Sequence, residues 1–429
     1  MKFLEPQAAN ALQASVTESK KTAGLSSRRL FCRDGAFLLS AFQLLPSVAE
    51  ALTAQGEKEQ RVAPATRDLS RMVVDSTMQR FPNAKDFGEY SYFNSLYMMG
   101  QYMVFARTGE SKYLKYIQDW MDSHVDSKGV IDHEISGLDY IQPGNLLLIL
   151  YAQTHEERYR IAAETIHQRF ATYPLTADGG FWHSAVEGYK QHELWLDGTF
   201  MAIPFLLRYA RLFGGKQAAY NEAAKQLLLD HQHNGSTVNG LLYHAYDERG
   251  SAVWAQPINH HSSVFWCRAI GWYSMALVDT LDVMPNDHPQ RADLLSILGN
   301  LIASLAAYQD VKTGLWFQII DQPEIAGNWL ETSSSCMFAY AIDVAVKRGY
   351  VDAKYHAVAA RGYAGVLTQV SVGSGGSVEI HNICEGTDVG DAAFYLARRR
   401  NTNDAHGLGA FLLMNEEWKT SVASMAYPR

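Results

Sequence analysis

Two aspartates, Asp139 and Asp197, each stand just ahead of an apolar helical segment, and they have the clearest chemical potential in the chain. Asp197 lies in HELWLDGTFMAIPF, between Trp195 and Phe200. Flanking aromatic side chains exclude water from a carboxyl group, which raises its pKa towards values useful for a general acid. The free N–H groups at a helix start act in the opposite direction. The structural alternative for Asp197 is a helix N-cap, a common role for an aspartate at such a position.

Asp139 holds a comparable place in SGLDYIQPGNLLLIL, at the start of the preceding apolar segment. If the two segments run parallel, both aspartates open onto one cavity. A pair of carboxyl groups facing one cavity is what glycoside chemistry requires. The pair therefore predicts an acid/base site.

Aromatic and cationic residues are concentrated in the connections that precede other apolar segments. His183 lies in the run FWH, His244 in LYH, and Trp266, Arg268 and Trp272 in FWCRAIGW. Flat rings and cationic side chains suit an acidic sugar.

Each of these residues also has a structural alternative. Isolated histidines are more often satisfied structural groups, and either tryptophan could belong to the core. Arg268 could instead form a buried ion pair with Asp139 or Glu331. The run from Glu331 to Ser333 is typical of a helix cap.

The elements that must position these residues follow a strict alternation of two helix classes, and the class rich in small and aromatic residues is expected to be buried on most sides. The amphipathic, charged segments span residues 66–81, 111–125, 155–170, 215–233, 287–310 and 352–370. The apolar segments span residues 92–107, 140–154, 197–213, 265–282, 332–347 and 389–400. The alternation predicts an all-α toroid of six helical hairpins, with apolar helices inside. Connections from outer to inner helices are long, so we expect them to gather at one end and form the site.

Residues 1–51 are interpreted as an export signal of the twin-arginine type. Ser27-Arg28-Arg29-Leu30-Phe31 precedes a short apolar stretch, and Ala49-Glu50-Ala51 offers small residues for cleavage. The alternative is an amphipathic helix that stays attached. We expect a linker at 52–64, a single catalytic domain at 65–429, a periplasmic or secreted location, and no membrane contact after cleavage.

Composition and charge narrow the class further. A chain with 47% hydrophobic and 19% charged residues is typical of a soluble globular protein with a large core. The net charge of −8 argues against a nucleic acid partner. Cys267, Cys336 and Cys384 show no CxxC spacing, so neither a zinc site nor a disulfide framework is indicated, and we expect buried, inert thiols.

Taken in order, these motifs resemble glycoside hydrolase family 105 and its relative family 88, the unsaturated rhamnogalacturonyl and unsaturated glucuronyl hydrolases. The resemblance spans nearly the whole chain after residue 51 and implies an (α/α)6 barrel. Its landmarks are Thr108-Gly109, Leu138-Asp139 with Pro143-Gly144, FWH at Phe181, WLDG at Trp195, LYH at Leu242, FWCRAIGW at Phe265 and Glu331-Thr332-Ser333.

The resemblance also implies roles for individual residues. Asp197 matches the catalytic acid/base and Asp139 the second essential aspartate. The positions that match the substrate pocket are Tyr92, His183, His244, Trp266, Arg268 and Trp272. Two departures stand out: the segment between His183 and Trp195 is longer than usual, which puts the place of His183 in doubt, and Ser95 stands where glycine is frequent.

The implied reaction is hydration of a 4,5-unsaturated uronic acid at the end of an oligosaccharide, with unsaturated galacturonyl-rhamnose from rhamnogalacturonan as the favoured substrate. Asp197 would protonate C4 and assist water addition at C5, and Asp139 would help hold Asp197 protonated. Arg268 or the histidines would meet the substrate carboxylate. No metal or organic cofactor is implied.

Several alternatives stay open at this point. One is an unsaturated glucuronyl hydrolase acting on ulvan, xanthan or glycosaminoglycan fragments. Others are a glycosidase for saturated chains, a sugar epimerase with a histidine dyad, and a non-catalytic secreted sugar-binding protein.

Overall fold

The computed structural model describes residues 67–420, which form a helical domain with short two-stranded β-sheets in its connections. The predicted export signal and linker at residues 1–64 lie outside the described residues. The α-helices in this range are α1 (Leu69–Arg80), α2 (Tyr92–Thr108), α3 (Ser111–Asp122), α4 (Gly144–Thr154), α5 (Glu157–Arg169), α6 (Leu196–Phe213), α7 (Lys216–Asn234), α8 (Cys267–Val283), α9 (Arg291–Ala307), α10 (Thr332–Lys347), α11 (His356–Leu367), α12 (Ala392–Leu396) and α13 (Ala405–Lys419). The strands are β1 (Glu193–Trp195), β2 (Ala245–Asp247), β3 (Trp316–Phe317), β4 (Leu330–Glu331), β5 (Val370–Val372), β6 (Val378–Ile380), β7 (Ile383–Cys384) and β8 (Arg400–Asn401). Within residues 67–420, no helix combines the length and apolar character needed to cross a bilayer.

Two classes of helix alternate along the chain, as predicted. The outer helix α3 buries one stripe, at Tyr113, Tyr116, Ile117, Trp120 and Met121, which is the spacing of a single helical face. The inner helices α6, α8 and α10 are buried on nearly all sides. Each inner helix contacts the next, and α13 contacts α2. The inner helices therefore close into a ring, which confirms the (α/α)6 barrel.

The connections have two very different lengths, and this difference positions the site. Gly109 and Glu110 alone separate α2 from α3, and Gly214 and Gly215 alone separate α6 from α7. By contrast, residues 170–195 lead into α6 and residues 235–266 lead into α8. The strands pair antiparallel within these longer connections, β1 with β2, β3 with β4, β5 with β6 and β7 with β8. The N-terminal ends of the inner helices thus share one elaborated face.

The sixth inner helix was predicted at the wrong place. Residues 389–400 form only the five-residue α12, whereas the inner helix is α13, at Ala405–Lys419. Arg398 and Arg399 lie outside any helix and pair with Glu385. In α13, an added Cβ at Gly407 would meet the Ile383 side chain at 2.4 Å. A glycine that weakens intrinsic helix propensity is therefore required here by packing.

The predicted burial of the cysteines is confirmed. Cys267, Cys336 and Cys384 are free and buried. Burial raises the pKa of all three thiols, most strongly for Cys267 and Cys336. A thiol with a raised pKa is mostly protonated and is therefore a poor nucleophile at neutral pH.

We predict that Gly409→Ala destabilises the barrel, whereas Gly299→Ala does not. A Cβ at Gly409 would lie 2.7 Å from Leu96 Cγ and 2.8 Å from Tyr97 N, so α13 and α2 would have to separate. Overpacking of this kind costs about 1–3 kcal/mol. Gly299 in α9 is the matched control, because nothing lies within 4 Å of its added Cβ. The helix gain there is about 0.5–1 kcal/mol. Urea unfolding of both variants measures the difference, and equal midpoints would contradict the close α2–α13 contact.

Candidate active site

Asp139 and Asp197 both lie on the face that carries the long connections. Asp139 sits in a 3-10 turn at Leu138–Tyr140, just ahead of α4. Asp197 is in the first turn of α6, whose N-cap is Trp195 and has no side-chain capping bond. The N-cap alternative for Asp197 is therefore wrong. Its carboxylate is not used by the helix and remains available to the site.

The pairing of β1 with β2 brings His244 to Asp197. Trp195 lies opposite Ala245 in this pair, and the Leu196 amide donates to the His244 carbonyl at 3.0 Å. His244 Nε2 consequently lies 3.1 Å from Asp197 Oδ2. The two atoms interact electrostatically but are not aligned in a hydrogen bond. On its other side, His244 Nδ1 lies 2.7 Å from the hydroxyl of Tyr395.

His183 stands beside the other carboxyl group. Its Nε2 lies 3.7 Å from Asp139 Oδ2, and its ring stacks on Trp195 with centroids 4.2 Å apart. The longer segment after His183 thus leaves this residue in the site. Burial, and to a lesser extent Lys190, lowers the pKa of His183 to about 3, so its imidazole is neutral. A neutral imidazole can both donate and accept a hydrogen bond.

The pKa values of the two carboxyl groups are shifted in opposite directions. Desolvation raises the pKa of Asp139 to about 7; Lys190 lowers it, and Asp197 raises it further. For Asp197, burial alone would raise the pKa, but His244 nearby, with smaller effects of His183 and Arg268, lowers it below its usual value. The expectation that Asp197 is held protonated in the free site is therefore wrong. Near neutral pH the free site combines an ionised Asp197 with an Asp139 that can hold a proton.

The tryptophans and the arginine of the FWCRAIGW run pack around this pair. Trp266 contacts His244, with ring centroids 4.6 Å apart, and Arg268 lies 4.7 Å above the Trp266 ring. Arg268 Nη1 and Nη2 donate to the carbonyls of Cys384 and Glu385 at 2.5 and 2.6 Å. Among the described residues no ion pair of Arg268 with Asp139 or Glu331 is found. Glu331 instead caps α10, as its sequence predicts.

Tyr92 and Trp272 form the neighbouring wall. Tyr92 begins α2, and its ring meets the edge of Trp272 with centroids 6.1 Å apart. Both tryptophans are buried, Trp266 and Trp272 each being 1% exposed. They therefore pack behind the residues that line the site and do not present an exposed ring face on which a sugar could stack.

Several buried polar atoms of the site have no hydrogen-bond partner among residues 67–420. They are His183 Nδ1, Asp197 Oδ2, His244 Nε2, Trp266 Nε1 and Arg268 Nε. Nearly all buried polar groups in proteins are paired, so each exception needs an explanation. Two of them, Asp197 Oδ2 and His244 Nε2, face each other at 3.1 Å, and the other three are available to a polar ligand.

The structure adds residues that the sequence analysis missed. Lys190, in the segment that is longer than usual, has its Nζ 4.2 Å from the centre of the Trp195 ring and 2.6 Å from Asp388. Tyr395 supports His244, and His406 supports Tyr92. The length of the segment after His183 was the available signal for Lys190. The other two follow from the true position of α13 and of the connection ahead of it.

The chain folds as a closed ring of inner helices with Asp139 and Asp197 at its elaborated face, and comparison with known proteins identifies its family. Residues 69–421 match the model of Glycosyl Hydrolase Family 88. A family 105 glycoside hydrolase of C. acetobutylicum superposes with a TM-score of 0.79 at 30% identity, over 82% of this chain and 99% of that chain. The chain therefore belongs to the glycoside hydrolase family 88/105 group, as the motifs predicted.

Curated relatives match over shorter stretches. A protein of Agrobacterium fabrum is 37% identical over 152 residues, which are 35% of this chain and 62% of that protein. The unsaturated rhamnogalacturonyl hydrolase YesR of Bacillus subtilis is 27% identical over 245 residues, which are 56% of this chain and 66% of YesR. The chain thus spans less than two thirds of the length of either relative.

We predict that Lys190→Met raises the pKa of Asp139 above about 7, because Lys190 lowers that pKa in the native site. The apolar stem over Trp195 is retained, so packing changes little. Carbon NMR of labelled aspartate carboxyl groups measures the pKa, with Asp139→Asn to assign the signal. Lys115→Met, at an exposed position on α3, is the control and should leave the titration unchanged. A lower pKa in Lys190→Met would contradict the placement of this ammonium group.

Proposed function

We propose that this protein is a glycoside hydrolase that removes the terminal 4,5-unsaturated uronic acid from lyase-generated oligosaccharides, with unsaturated galacturonyl-rhamnose from rhamnogalacturonan as its substrate. The observation that carries the proposal is the pair Asp139 and Asp197, whose pKa values are displaced in opposite directions within a cluster of unpaired buried polar atoms. Membership of the family 88/105 group and the similarity to YesR support the substrate class.

The chemistry suits a site with one proton to give. The C4=C5 bond of such a sugar is an enol ether, because C5 also carries the ring oxygen. Transfer of a proton from Asp197 to C4 leaves a cation at C5 that the ring oxygen stabilises. Water then adds to C5 and returns its proton to the Asp197 carboxylate. The resulting hemiketal opens and expels the next sugar, so the net change is addition of one water.

In the free site Asp139, whose pKa is raised to about 7, is the carboxyl group of the pair that can hold this proton. A substrate carboxylate that enters the site adds negative charge and displaces water, and both effects raise the pKa of a nearby carboxyl group. We infer that substrate binding moves the proton of the carboxyl pair to Asp197, directly or through a water molecule. Coupled carboxyl groups share protons as a unit, so such a transfer requires little free energy. Asp139 then accepts hydrogen bonds from the sugar or the attacking water.

The uronate carboxylate needs a cationic partner in this site. Each Nη atom of Arg268 gives one of its two N–H groups to a backbone carbonyl, which leaves one N–H on each Nη and the buried Nε–H. Lys190 carries its charge beside Trp195 and Asp139, although it is shared with Asp388. We therefore assign the carboxylate to the region between Lys190 and Arg268, with the neutral imidazole of His183 as a further hydrogen-bonding group and with His244 beside Asp197.

We predict that Asp197→Asn lowers kcat/KM by about 10²- to 10⁴-fold, the contribution of a positioned acid/base group. The measurement is the loss of enol-ether ultraviolet absorbance with unsaturated galacturonyl-rhamnose, with unsaturated glucuronyl disaccharides in parallel. Asp119→Asn, an exposed aspartate on α3, is the matched control and should retain full activity. If the native protein turns over no unsaturated uronide, the proposed function is wrong. Faster turnover of the glucuronyl substrates would reassign the sugar.

We predict that kcat/KM falls as pH rises through about 7, because Asp139 is protonated below its raised pKa and loses that proton above it. In Asp139→Asn this decline should be absent from the residual activity. Glu193 requires a control, since burial raises its pKa also to about 7. Glu193→Gln keeps an acceptor for the Trp195 indole N–H, which lies 2.7 Å from Glu193, and should keep the decline. Loss of the decline in Glu193→Gln would move the titration to that residue.

A further inference from the structure

A hydrogen-bonded chain of three side chains runs from the site into the junction of α2 and α13. The Tyr92 hydroxyl lies 2.7 Å from His406 Nε2, and His406 Nδ1 lies 2.6 Å from Asp404 Oδ1. Asp404 also accepts from the His406 amide at 3.1 Å and from Asn401 Nδ2 at 2.8 Å. The three residues are therefore linked without a gap.

The surroundings fix where each proton lies. Burial alone would raise the pKa of Asp404, but the bonds from His406 and Asn401 hold it well below its usual range. An ionised carboxylate only accepts, so His406 Nδ1 must carry a hydrogen. Burial and the nearby Arg268 lower the pKa of His406 despite Asp404, so the ring is neutral and Nε2 has a free lone pair.

Tyr92 completes the chain as a donor. Burial raises its pKa well above the usual value, so the phenol keeps its proton. That proton can be donated to His406 Nε2, which has no hydrogen of its own. The oxygen lone pairs of Tyr92 are then left for a partner outside the chain.

The rings in this chain have little freedom to rearrange. Phe93 stacks on His406 with centroids 5.0 Å apart, and Trp272 contacts Tyr92 edge-on. His406 is 3% exposed. A hydroxyl group held by a bond on one side and by packing on the other presents its oxygen in one direction, which is how preorganised sites gain selectivity.

We propose that Asp404 and His406 are positioning residues that set the polarity of the Tyr92 hydroxyl, so that its oxygen accepts a hydrogen bond from a hydroxyl group of the bound uronic acid. This inference rests on the proposed function of the same site. It assigns Asp404 a role through His406, since neither its carboxylate nor the imidazole needs to touch the sugar. Tyr92 is the member of the chain that meets the substrate.

Asp404→Asn tests this role. Asp404 Oδ1 accepts from both the His406 amide and His406 Nδ1, so an asparagine that turns its NH2 group to Nδ1 also gives up the capping bond at the start of α13. Such an amide donates to His406 Nδ1 and shifts the ring hydrogen to Nε2, the change of tautomer that the same exchange causes in a serine protease triad. Loss of the cap alone would lower activity whether or not residue 92 carries a hydroxyl group, whereas the change of tautomer acts only through that hydroxyl. Tyr92 would then accept from Nε2 and direct its own proton at the substrate.

The experiment is a double-mutant cycle of Asp404→Asn and Tyr92→Phe, followed through kcat/KM on the unsaturated uronide. We expect Asp404→Asn alone to lower kcat/KM about 10- to 100-fold, the effect of a mismatched hydrogen bond. In the Tyr92→Phe background it should have no further effect, because no hydroxyl remains to be oriented. Asp352→Asn, the cap of the 3-10 turn ahead of α11, is the matched control and should retain full activity. Equal losses in both backgrounds, or native activity in Asp404→Asn, would overturn the proposal.

A second measurement does not depend on turnover. Nitrogen NMR of the labelled imidazoles reports which ring nitrogen of His406 carries hydrogen, with His406→Gln to assign the signal. We expect the hydrogen on Nδ1 in the native protein and on Nε2 in Asp404→Asn. A native protein with the hydrogen on Nε2 would overturn the inference, even where the substrate itself proves to be a different sugar.

Discussion

The direct packing of α13 on α2 is the contact on which the rest of the barrel depends. It joins the last inner helix to the first, and without it the inner helices would form an open row. The approach is as close as two backbones allow: an added Cβ at Gly100 would lie 2.6 Å from Leu412 Cβ. Because the two helices begin at the same face, this closeness also brings Tyr92 and His406 within hydrogen-bond distance. The same contact between α2 and α13 therefore closes the ring of inner helices and completes one wall of the site.

Much of the fold could be predicted because burial and periodicity agree for most helices. The single buried stripe on α3 and the predominance of apolar and small residues in α8 indicate which helix lies outside and which lies inside. The prediction failed at α13, where Gly407 and Gly409 count against a helix by propensity alone. These glycines allow side chains and backbone from other elements to pack directly against α13, and the sequence around the glycines does not show those contacts. The local sequence therefore favoured a helix at residues 389–400, although Arg398 and Arg399 lie in a loop and pair with Glu385.

The site shows the same division between position and environment. The places of Asp139 and Asp197 follow from the starts of two inner helices, which a single sequence can indicate. The direction of their pKa shifts does not, because His244 reaches Asp197 only through the pairing of β1 with β2. Lys190 likewise acts on Asp139 from a segment whose path depends on Trp195 and Asp388. Charge in a buried site is set by such tertiary contacts, whereas residue type only sets the reference value.

The unpaired polar atoms connect stability with chemistry. Each buried donor or acceptor without a partner costs about 1–3 kcal/mol, and a protein optimised for folding alone would pair or remove them. In the same region both Nη atoms of Arg268 reach backbone carbonyls, whereas its Nε has no partner among residues 67–420. Asp197 does not cap α6, because Trp195 takes the capping position, and its carboxylate faces His244 in the site instead. The arrangement is explained if a ligand supplies the missing partners. The atoms that destabilise the free protein would then bind the substrate and stabilise the charge that develops on it during the reaction.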